Sequence, residues 1–229
     1  MVYYLSEGDL ALPPPLGEKH ESGVIAVGGE LSPQRLALAY ALGIFPWYQE
    51  GETPPLWHAP HERMVLFPER LRVNRSLRRS LNSARFTLSY DLAFEEVLRR
   101  CAEVKRPDQE GTWLSPTLQR SLTQLHASGL AHSAEAWLDG ELVGGLYGLT
   151  MGRVFFGESM FALAPEASKV VFVTLVRALA ELDYALIDCQ AHTEHLERFG
   201  AREICGQRFH LLLESLICEQ PRGLWPTHE

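Results

Sequence analysis

The sequence predicts an α/β protein in two parts, a small N-terminal α+β domain over residues 1–62 and a larger α/β domain over residues 63–229. Residues 44–60 contain four prolines, a density typical of a connecting segment without regular structure. The ordered succession of strand and helix signals comes after this segment. A chain of 229 residues with 46% hydrophobic residues is long enough for two unequal domains.

The N-terminal part contains one strand signal and one helix signal. Residues 24–27 are apolar and end in Gly28-Gly29, which indicates a short strand followed by a turn. Ser32 and Pro33 are typical of a helix N-cap and first turn, and Gly43 is typical of a helix end. We therefore expect a helix over residues 34–42.

The first half of the larger part predicts a strand, two helices and a three-stranded meander. The strand covers residues 86–90, and the helices cover residues 92–101 and the segment from Ser115-Pro116 to Gly129. Asp139-Gly140 is a two-residue hairpin signal between strands at 131–138 and 141–149, and Met151-Gly152 turns the chain into a strand at 153–160.

The second half predicts a helix over residues 166–181, a strand over 184–189, a short helix over 192–199 and a terminal element around 209–217. Strand, two helices, meander, helix, strand and helix is the element order of the acetyltransferase-like (GNAT-like) α/β fold. Enzymes of that kind that use acetyl-coenzyme A carry a basic, glycine-rich loop after the fourth strand. Residues 161–167 have no such loop, which disfavours an ordinary acetyltransferase.

The net charge of −8 disfavours a nucleic-acid partner, because phosphate contacts need Lys and Arg. One segment reverses this balance, with a net charge of +6 over residues 63–85 against −14 for the remainder. Its basic residues are Arg63, Arg70, Arg72, Arg75, Arg78, Arg79 and Arg85. The run is either a solvated helix face or a surface for the phosphates of a nucleic acid.

The apolar stretch at 170–176 is too short for a membrane span, and residues 1–10 lack the pattern of a secretory leader. The four cysteines form no Cys-x-x-Cys pair. We expect a cytoplasmic protein with reduced thiols and no membrane association.

Three polar residues interrupt apolar strands and are the candidates for chemistry, since a buried carboxylate is costly unless it is paired or used. They are Glu158, Asp188 and Gln190. Asp188 and Gln190 lie two apart on a predicted strand, so their side chains should share one face while Cys189 points into the core. If the two strands are neighbours, all three polar side chains converge at one opening of the sheet.

Other patterns have plainer explanations. His192 and His195 lack the spacing of a zinc-protease helix and a third ligand, so we expect no metal. Trp47 and Trp113 lie in polar, turn-rich segments, where an indole either packs in the core or stacks on a nucleobase.

With these residues in view, the chain resembles the leucyl/phenylalanyl-tRNA–protein transferases from about residue 23 to residue 213. The matching segments, in order, are Gly28-Gly29-Glu30-Leu31-Ser32, Gly43-Ile44-Phe45-Pro46-Trp47, Gly111-Thr112-Trp113, Leu142-Val143-Gly144-Gly145-Leu146-Tyr147-Gly148, Gly157-Glu158-Ser159-Met160-Phe161, Ala167-Ser168-Lys169 and Ile187-Asp188-Cys189-Gln190. The resemblance implies a small N-terminal domain followed by an acetyltransferase-like domain. It also implies transfer of Leu, Phe or Met from aminoacyl-tRNA to proteins or peptides that begin with Lys or Arg, which marks them for degradation without metal or coenzyme.

The resemblance assigns roles to individual residues. It implies that Asp188 and Gln190 are the catalytic pair and that Glu158 is an acidic site residue. With tRNA as the partner, the local charge reversal makes the seven arginines the expected tRNA contacts. The residues expected to bind the aminoacyl-adenosine end are Trp47, Trp113, Leu146, Phe155, Ser159 and Met160. Two departures from the family pattern, at His58-Ala59 and at Leu175, bear on the size of the pocket.

The expected chemistry is aminolysis of an activated ester, in which positioning supplies much of the acceleration. We expect the Gln190 carbonyl to orient the attacking amine and Asp188 to stabilise or relay the positive charge. Glu158 either attracts the cationic acceptor or orients that network. Two alternatives stay open: a tRNA-dependent transferase for cell-wall peptides, which usually carries an additional helical arm, and a non-catalytic tRNA-binding module.

Overall fold

The computed structural model describes residues 2–17, 20–48, 54–104 and 114–227 of the chain. Over these ranges the backbone forms two β-sheets and seven α-helices. None of the described helices is long and apolar enough to cross a lipid bilayer.

The first sheet has four strands in the order β1-β2-β4-β3. Its elements along the chain are β1 (Tyr3–Leu5), β2 (Val24–Gly28), α1 (Pro33–Ala41), β3 (Phe45–Pro46) and β4 (Leu56–His58). The predicted strand and helix are confirmed. Ser32 Oγ accepts the N-cap hydrogen bond from the Arg35 N–H, and Gly43 takes the left-handed conformation after the helix.

The prediction that residues 44–60 have no regular structure is wrong. β3 and β4 form an antiparallel pair, with Phe45 opposite His58 and Pro46 opposite Trp57. Pro46 is tolerated because β3 is an edge strand of only two residues, where a missing N–H removes little of the ladder. The proline content therefore shortened the strands without abolishing them.

The second sheet has seven strands in the order β11-β5-β10-β9-β8-β7-β6. The elements after the first sheet are β5 (Glu62–Leu66), α2 (Arg75–Asn82), β6 (Thr87–Tyr90), α3 (Phe94–Glu103), α4 (Pro116–Ala127), β7 (Ala131–Leu138), β8 (Glu141–Met151), β9 (Val154–Ala162), α5 (Ala167–Glu181), β10 (Leu186–Asp188), α6 (Glu194–Glu197), β11 (Arg202–Cys205) and α7 (Gly206–Leu216). A 3-10 turn at Pro68–Arg70 joins β5 to α2.

The predicted meander, the long helix after it and the strand that follows are confirmed with small shifts of their ends. Strands β1, β5 and β11 were not predicted. The signal for β5 was the apolar run Met64-Val65-Leu66, which is buried on both faces in the interior of the sheet. The arginines around this run indicated a solvated helix face or a phosphate-binding surface, and not a buried strand. The domain boundary at residues 62 and 63 stays a prediction.

The two faces of the large sheet carry separate cores. On one face, α3, α4 and α7 pack together with the N-terminal sheet and α1. On the other face, α5 and α2 cover Phe155, Ile187 and neighbouring strand residues. The sheet therefore lies between the N-terminal part of the chain and α5.

Candidate active site

The candidate site lies where the parallel strands β9 and β10 separate. Their pairing ends at Phe156 and Asp188, whereas β9 continues to Ala162 alongside β8 only. Tyr147 pairs with Ser159 and Gly148 pairs with Gly157, so Glu158 is an extra, bulged residue of β9. A bulge re-aims a side chain, and Glu158 lines the cavity at this opening. The two strands are therefore neighbours, which was the condition for the three polar residues to converge.

Gln190 lies beyond the end of β10 in the left-handed conformation, with φ of 55°. Its N–H donates to Asp188 Oδ1 at 3.0 Å, and its carbonyl accepts from the Met64 N–H at 3.1 Å. Such a conformation costs a non-glycine residue about 1 to 3 kcal/mol and persists where the surroundings impose it. The main-chain N–H and carbonyl of Gln190 are therefore both held by hydrogen bonds, which fixes the direction of its side-chain amide.

The prediction that strand alternation continues through Gln190 is wrong, because β10 ends at Asp188. Cys189 and Gln190 both line the cavity, whereas Asp188 does not. Cys189 remains a buried packing residue, and burial raises the pKa of its thiol far above its usual value. A protonated thiol is a poor nucleophile.

Asp188 is paired with Arg63 behind the cavity wall. Arg63 Nε and Nη2 donate to the two carboxylate oxygens at 2.7 and 2.5 Å, and both side chains are fully buried. The guanidinium lies between the rings of Phe45 and Phe209, at 4.6 and 4.5 Å from their centroids. This placement contradicts the prediction that Arg63 contacts tRNA, since it lies in a buried strand and its charge is already neutralised.

Glu158 connects the Gln190 amide to the N-terminal part of the chain. Its Oε1 accepts from Gln190 Nε2 at 2.8 Å, and the carboxyl also has a hydrogen bond with the Tyr40 hydroxyl of α1. Burial and the negative charge of Asp188 raise the pKa of Glu158 to about 8, against the opposing effects of Tyr40 and Arg63. The carboxyl is therefore mostly neutral at pH 7.

The opening leads into a cavity of about 450 Å³ that is lined mainly by apolar side chains. The predicted binding residues Leu146, Phe155, Ser159 and Met160 all lie in its wall. Other described residues of the wall were not identified from the sequence: Phe45, Pro46, Tyr147, Gly157, Phe172, Ile187, Cys189, Ala191, Thr193, His195 and Leu196. Phe172 of α5 lines the cavity. Leu175, one turn further along the same helix, is buried but does not line the cavity.

Trp47 lies at the rim of the cavity with 46% of its surface exposed. The main-chain N–H of Trp47 donates to the Leu56 carbonyl at 3.0 Å, and its main-chain carbonyl contacts His58 Nε2 at 2.9 Å. The His58 ring also lies beside the indole, with the centroids 5.5 Å apart. His58, a departure from the family pattern, therefore holds Trp47 in place. Trp113 lies outside the described residues.

The short helix α6 contributes a wall that the sequence did not indicate. His195 and Leu196 of this helix and its N-cap residue Thr193 line the cavity. Burial and the positive charges of Lys169 and Arg198 lower the pKa of His195, which favours its neutral imidazole. Within the described ranges, no three His, Cys, Asp or Glu side chains are grouped as metal ligands would be.

Six of the seven arginines of the basic segment are exposed: Arg70, Arg72, Arg75, Arg78, Arg79 and Arg85. None of the six forms an ion pair with a carboxylate of the described residues. The Arg72 N–H donates to the Phe199 carbonyl at 2.8 Å, which joins the segment to the chain that follows α6. The basic surface therefore begins beside the α6 wall of the cavity.

Comparison with known proteins agrees with this arrangement. Residues 65–214 match the family model described as leucyl/phenylalanyl-tRNA protein transferase, and residues 29–61 match the N-terminal domain of the same family. A leucyl/phenylalanyl-tRNA–protein transferase of Myxococcus xanthus is 50% identical over 225 residues, covering 98% of this chain and 96% of the relative. A transferase of the same name from Anaeromyxobacter sp. strain Fw109-5 is 51% identical over 228 residues, covering 98% and 95%.

A solved structure of FemX is similar in fold alone. Its TM-score is 0.50 at 11% sequence identity, and the match covers 79% of this chain and 71% of FemX. The predicted class, an α/β protein with a small N-terminal domain and a GNAT-like larger part, is confirmed.

Proposed function

The chain belongs to the leucyl/phenylalanyl-tRNA–protein transferase family and is an aminoacyl-tRNA-dependent transferase, and we propose which groups it transfers and how. The donors are Leu, Phe or Met esterified to tRNA, and the acceptors are cytoplasmic proteins that begin with Lys or Arg and are thereby marked for degradation. One observation carries the proposal: an apolar cavity adjoins a fixed amide, Gln190, at the opening between β9 and β10.

The cavity receives the side chain of the transferred amino acid. Its walls near the opening are apolar, with Leu146, Phe155, Met160 and Phe172 around it. Apolar pockets with few polar groups select by size and shape. Unbranched or flat apolar side chains such as Leu, Met and Phe suit such a space better than polar ones.

The terminal adenosine of the tRNA lies against Trp47. An exposed indole at the rim offers a face for a base, and stacking of this kind contributes about 1 to 3 kcal/mol per base. The exposed arginines between Arg70 and Arg85 then contact the tRNA phosphates, since none of them is neutralised by a described carboxylate. Trp113 is a proposed second contact with the adenosine.

Gln190 positions the attacking amine. Its Nε2 is engaged by Glu158, while Oε1 has no hydrogen bond with the described residues and is available to accept one from the neutral amine. The amine nitrogen bonds to the ester carbon, the bond to the ribose oxygen breaks, and that oxygen takes up the proton that the amine loses. An amide accepts a proton very poorly, so Gln190 orients the nucleophile without acting as a base.

Asp188 and Glu158 act through Gln190. Asp188 accepts a hydrogen bond from the main-chain N–H of Gln190 and is itself held by Arg63, so it fixes the position of Gln190 from behind the cavity wall. Of the two roles considered for Glu158, orientation of the amide has the better support, because a neutral carboxyl attracts a cation weakly. We propose that both are positioning residues.

A transfer assay tests the function. The protein is incubated with tRNAs charged with Leu, Phe, Met or Ile and with a peptide that begins with Arg, and the peptide is weighed by mass spectrometry. The expected product is the peptide extended by one Leu, Phe or Met, and a matched peptide that begins with Ala should stay unchanged. Extension of both peptides would contradict the acceptor specificity, and extension of neither would contradict the proposed donors and acceptors.

A further inference from the structure

The described C-terminal segment after α7, residues 217–227, is attached to the chain that connects α5 to β10 and to the turn before β9. The Arg222 N–H donates to the Leu182 carbonyl at 2.8 Å, and the Tyr184 hydroxyl donates to the Leu224 carbonyl. Arg153 also pairs with Glu219 at 2.5 Å. These contacts bring Trp225 back into the protein.

Trp225 is half-buried among aromatic rings. Its ring stacks on His132 with the centroids 4.4 Å apart and the planes at 15°, and it meets the edge of Tyr90 at 6.3 Å. Its third neighbour is Phe155, with the centroids 5.6 Å apart. His132 is fixed in turn by Asp91, whose Oδ2 lies 2.7 Å from Nδ1.

The Phe155 ring has two packing partners. It packs against the main chain at Gly148, where an added Cβ would lie 2.5 Å from the ring. It also contacts the Trp225 ring. Phe155 lines the cavity, whereas Trp225 does not and so lies behind it.

From this arrangement we propose that Trp225 is a positioning residue that sets donor specificity, by fixing Phe155 and so the size of the pocket. The inference rests on the proposed function of the cavity as the donor side-chain pocket. Protein interiors are close-packed, so a ring that loses its support can move into the space that is left. Without Trp225, Phe155 is free to turn away from the cavity, which then admits larger side chains.

Donor selectivity measures this directly. Leucyl-adenosine and 2-naphthylalanyl-adenosine esters are compared as donors to a peptide that begins with Arg, and the ratio of their kcat/KM values is taken for each variant. We expect Trp225→Ala to raise the naphthylalanyl-to-leucyl ratio by about tenfold or more, a change of about 1.4 kcal/mol in relative barrier. Trp225→Phe should change the ratio by less than about threefold, because the ring stays and Nε1 has no hydrogen-bond partner in the described chain.

Trp137→Ala is the matched control. Trp137 lies on β7 and donates to Ser89 Oγ at 2.7 Å, away from the residues that line the cavity. Its replacement should lower the yield of folded enzyme without moving the ratio, which does not depend on enzyme concentration. An unchanged ratio in Trp225→Ala, or an equal rise in Trp137→Ala, would overturn the inference.

A binding measurement separates this inference from the proposed function. Calorimetry compares the affinity of 2-naphthalenemethanol with that of benzyl alcohol, and Trp225→Ala should favour the larger probe by about tenfold relative to wild type. A wild-type protein that transfers no amino acid contradicts the proposed function, yet this shift would still support the role of Trp225 in pocket size. If Trp225→Ala does not fold, Trp225→Leu should also shift the relative affinity towards the larger probe, by a smaller factor. An unchanged relative affinity in Trp225→Leu would then overturn the inference.

Discussion

The two walls of the cavity are built on different physical principles. The apolar wall consists mainly of apolar side chains from β8, β9, α5 and α6, which pack by hydrophobic burial and dispersion contacts. The polar wall consists of Gln190 and Glu158, and it belongs to a connected set in which Arg63, Asp188, Gln190, Glu158 and Tyr40 are linked in sequence by hydrogen bonds. Loss of one contact in the first wall changes size, whereas loss of one member of the second leaves a buried partner unsatisfied.

This difference separates selectivity from positioning. Contacts in an apolar wall contribute in small, roughly additive steps, so the choice of donor should vary gradually with shape. Members of a buried polar set depend on one another, so their removal should produce large and non-additive effects. The following measurements test the comparison in order of expected effect.

The largest effect should come from breaking the buried ion pair. Asp188→Asn leaves the Arg63 guanidinium buried without a counter-charge, a change that typically costs about 3 to 5 kcal/mol. Thermal unfolding should shift by roughly 10 °C, since 1 kcal/mol corresponds to about 2 to 4 °C in a protein of this size. The double variant Arg63→Met/Asp188→Leu should recover most of the stability but not the transfer activity. If Asp188→Asn is as stable as wild type, the claim that these buried polar residues depend on one another is wrong.

Removal of the amide should affect the reaction and not the binding of tRNA. Gln190→Ala should lower kcat by about tenfold or more, because about 1.4 kcal/mol of lost transition-state stabilisation suffices for that factor. Its affinity for aminoacyl-tRNA should stay within about twofold of wild type. Both quantities come from single-turnover kinetics, and wild-type turnover would contradict the proposed role of Gln190.

The apolar wall should discriminate against β-branched donors by a moderate factor. Ile and Val carry a methyl group on Cβ, which we expect to meet the cavity wall at Phe155 and Met160. A misfit of one methylene is worth about 1 to 3 kcal/mol. The quantity to measure is the ratio of kcat/KM for Leu and Ile from their tRNAs. Equal transfer of the two would show that the wall does not select by shape.

Glu158 should give a small effect with the isosteric amide and a larger one with truncation. Glu158→Gln keeps an oxygen that accepts from Gln190 Nε2, so transfer at pH 7 should stay within about threefold of wild type, whereas Glu158→Ala should lose about tenfold. A charge-attracting role predicts the opposite for Glu158→Gln, namely a loss as large as that of Glu158→Ala.

The pH dependence of stability tests the neutral state of Glu158 separately. Its pKa is about 8 in the folded protein against 4.5 as the ordinary value, so the folded state binds this proton more tightly. The resulting stabilisation is fully present below about pH 4.5 and is lost as the pH rises to about 8. The difference in free energy of unfolding between wild type and Glu158→Gln should therefore fall across this window and then level off. A flat difference would contradict the raised pKa.

Substitutions in the basic surface should have the smallest effect on donor selectivity and on positioning, because this surface lies outside both walls. Arg75→Ala/Arg78→Ala/Arg79→Ala should raise KM for aminoacyl-tRNA and reduce the slope of log affinity against log salt by up to about one unit per lost contact. An aminoacyl-adenosine donor lacks the tRNA body, so the triple variant and wild type should use it almost equally. An unchanged salt slope would mean that these arginines are only a solvated face.

Local sequence signals were sufficient for most of the fold. The cap at Ser32-Pro33, the turn at Asp139-Gly140 and the apolar strands of the meander each depend on residues close together in the chain, and the structure confirms them. The candidate residues Glu158 and Gln190 also stood out locally, as polar groups in apolar surroundings, and their roles stay predictions. Family motifs then related these positions to one reaction.

The tertiary structure decided which of these residues meet and in what state. Arg63 and Asp188 are 125 positions apart, and only the antiparallel pairing of β5 with β10 makes them a buried ion pair. Tyr40 and Trp225 reach the site from parts of the chain that carried no signal for it. Spacing within a segment determines which face a side chain takes only while the segment stays regular. At Gln190 the strand conformation is interrupted, so the spacing rule fails there. Burial, pairing and protonation depend on long-range packing, so they became visible only in the folded protein.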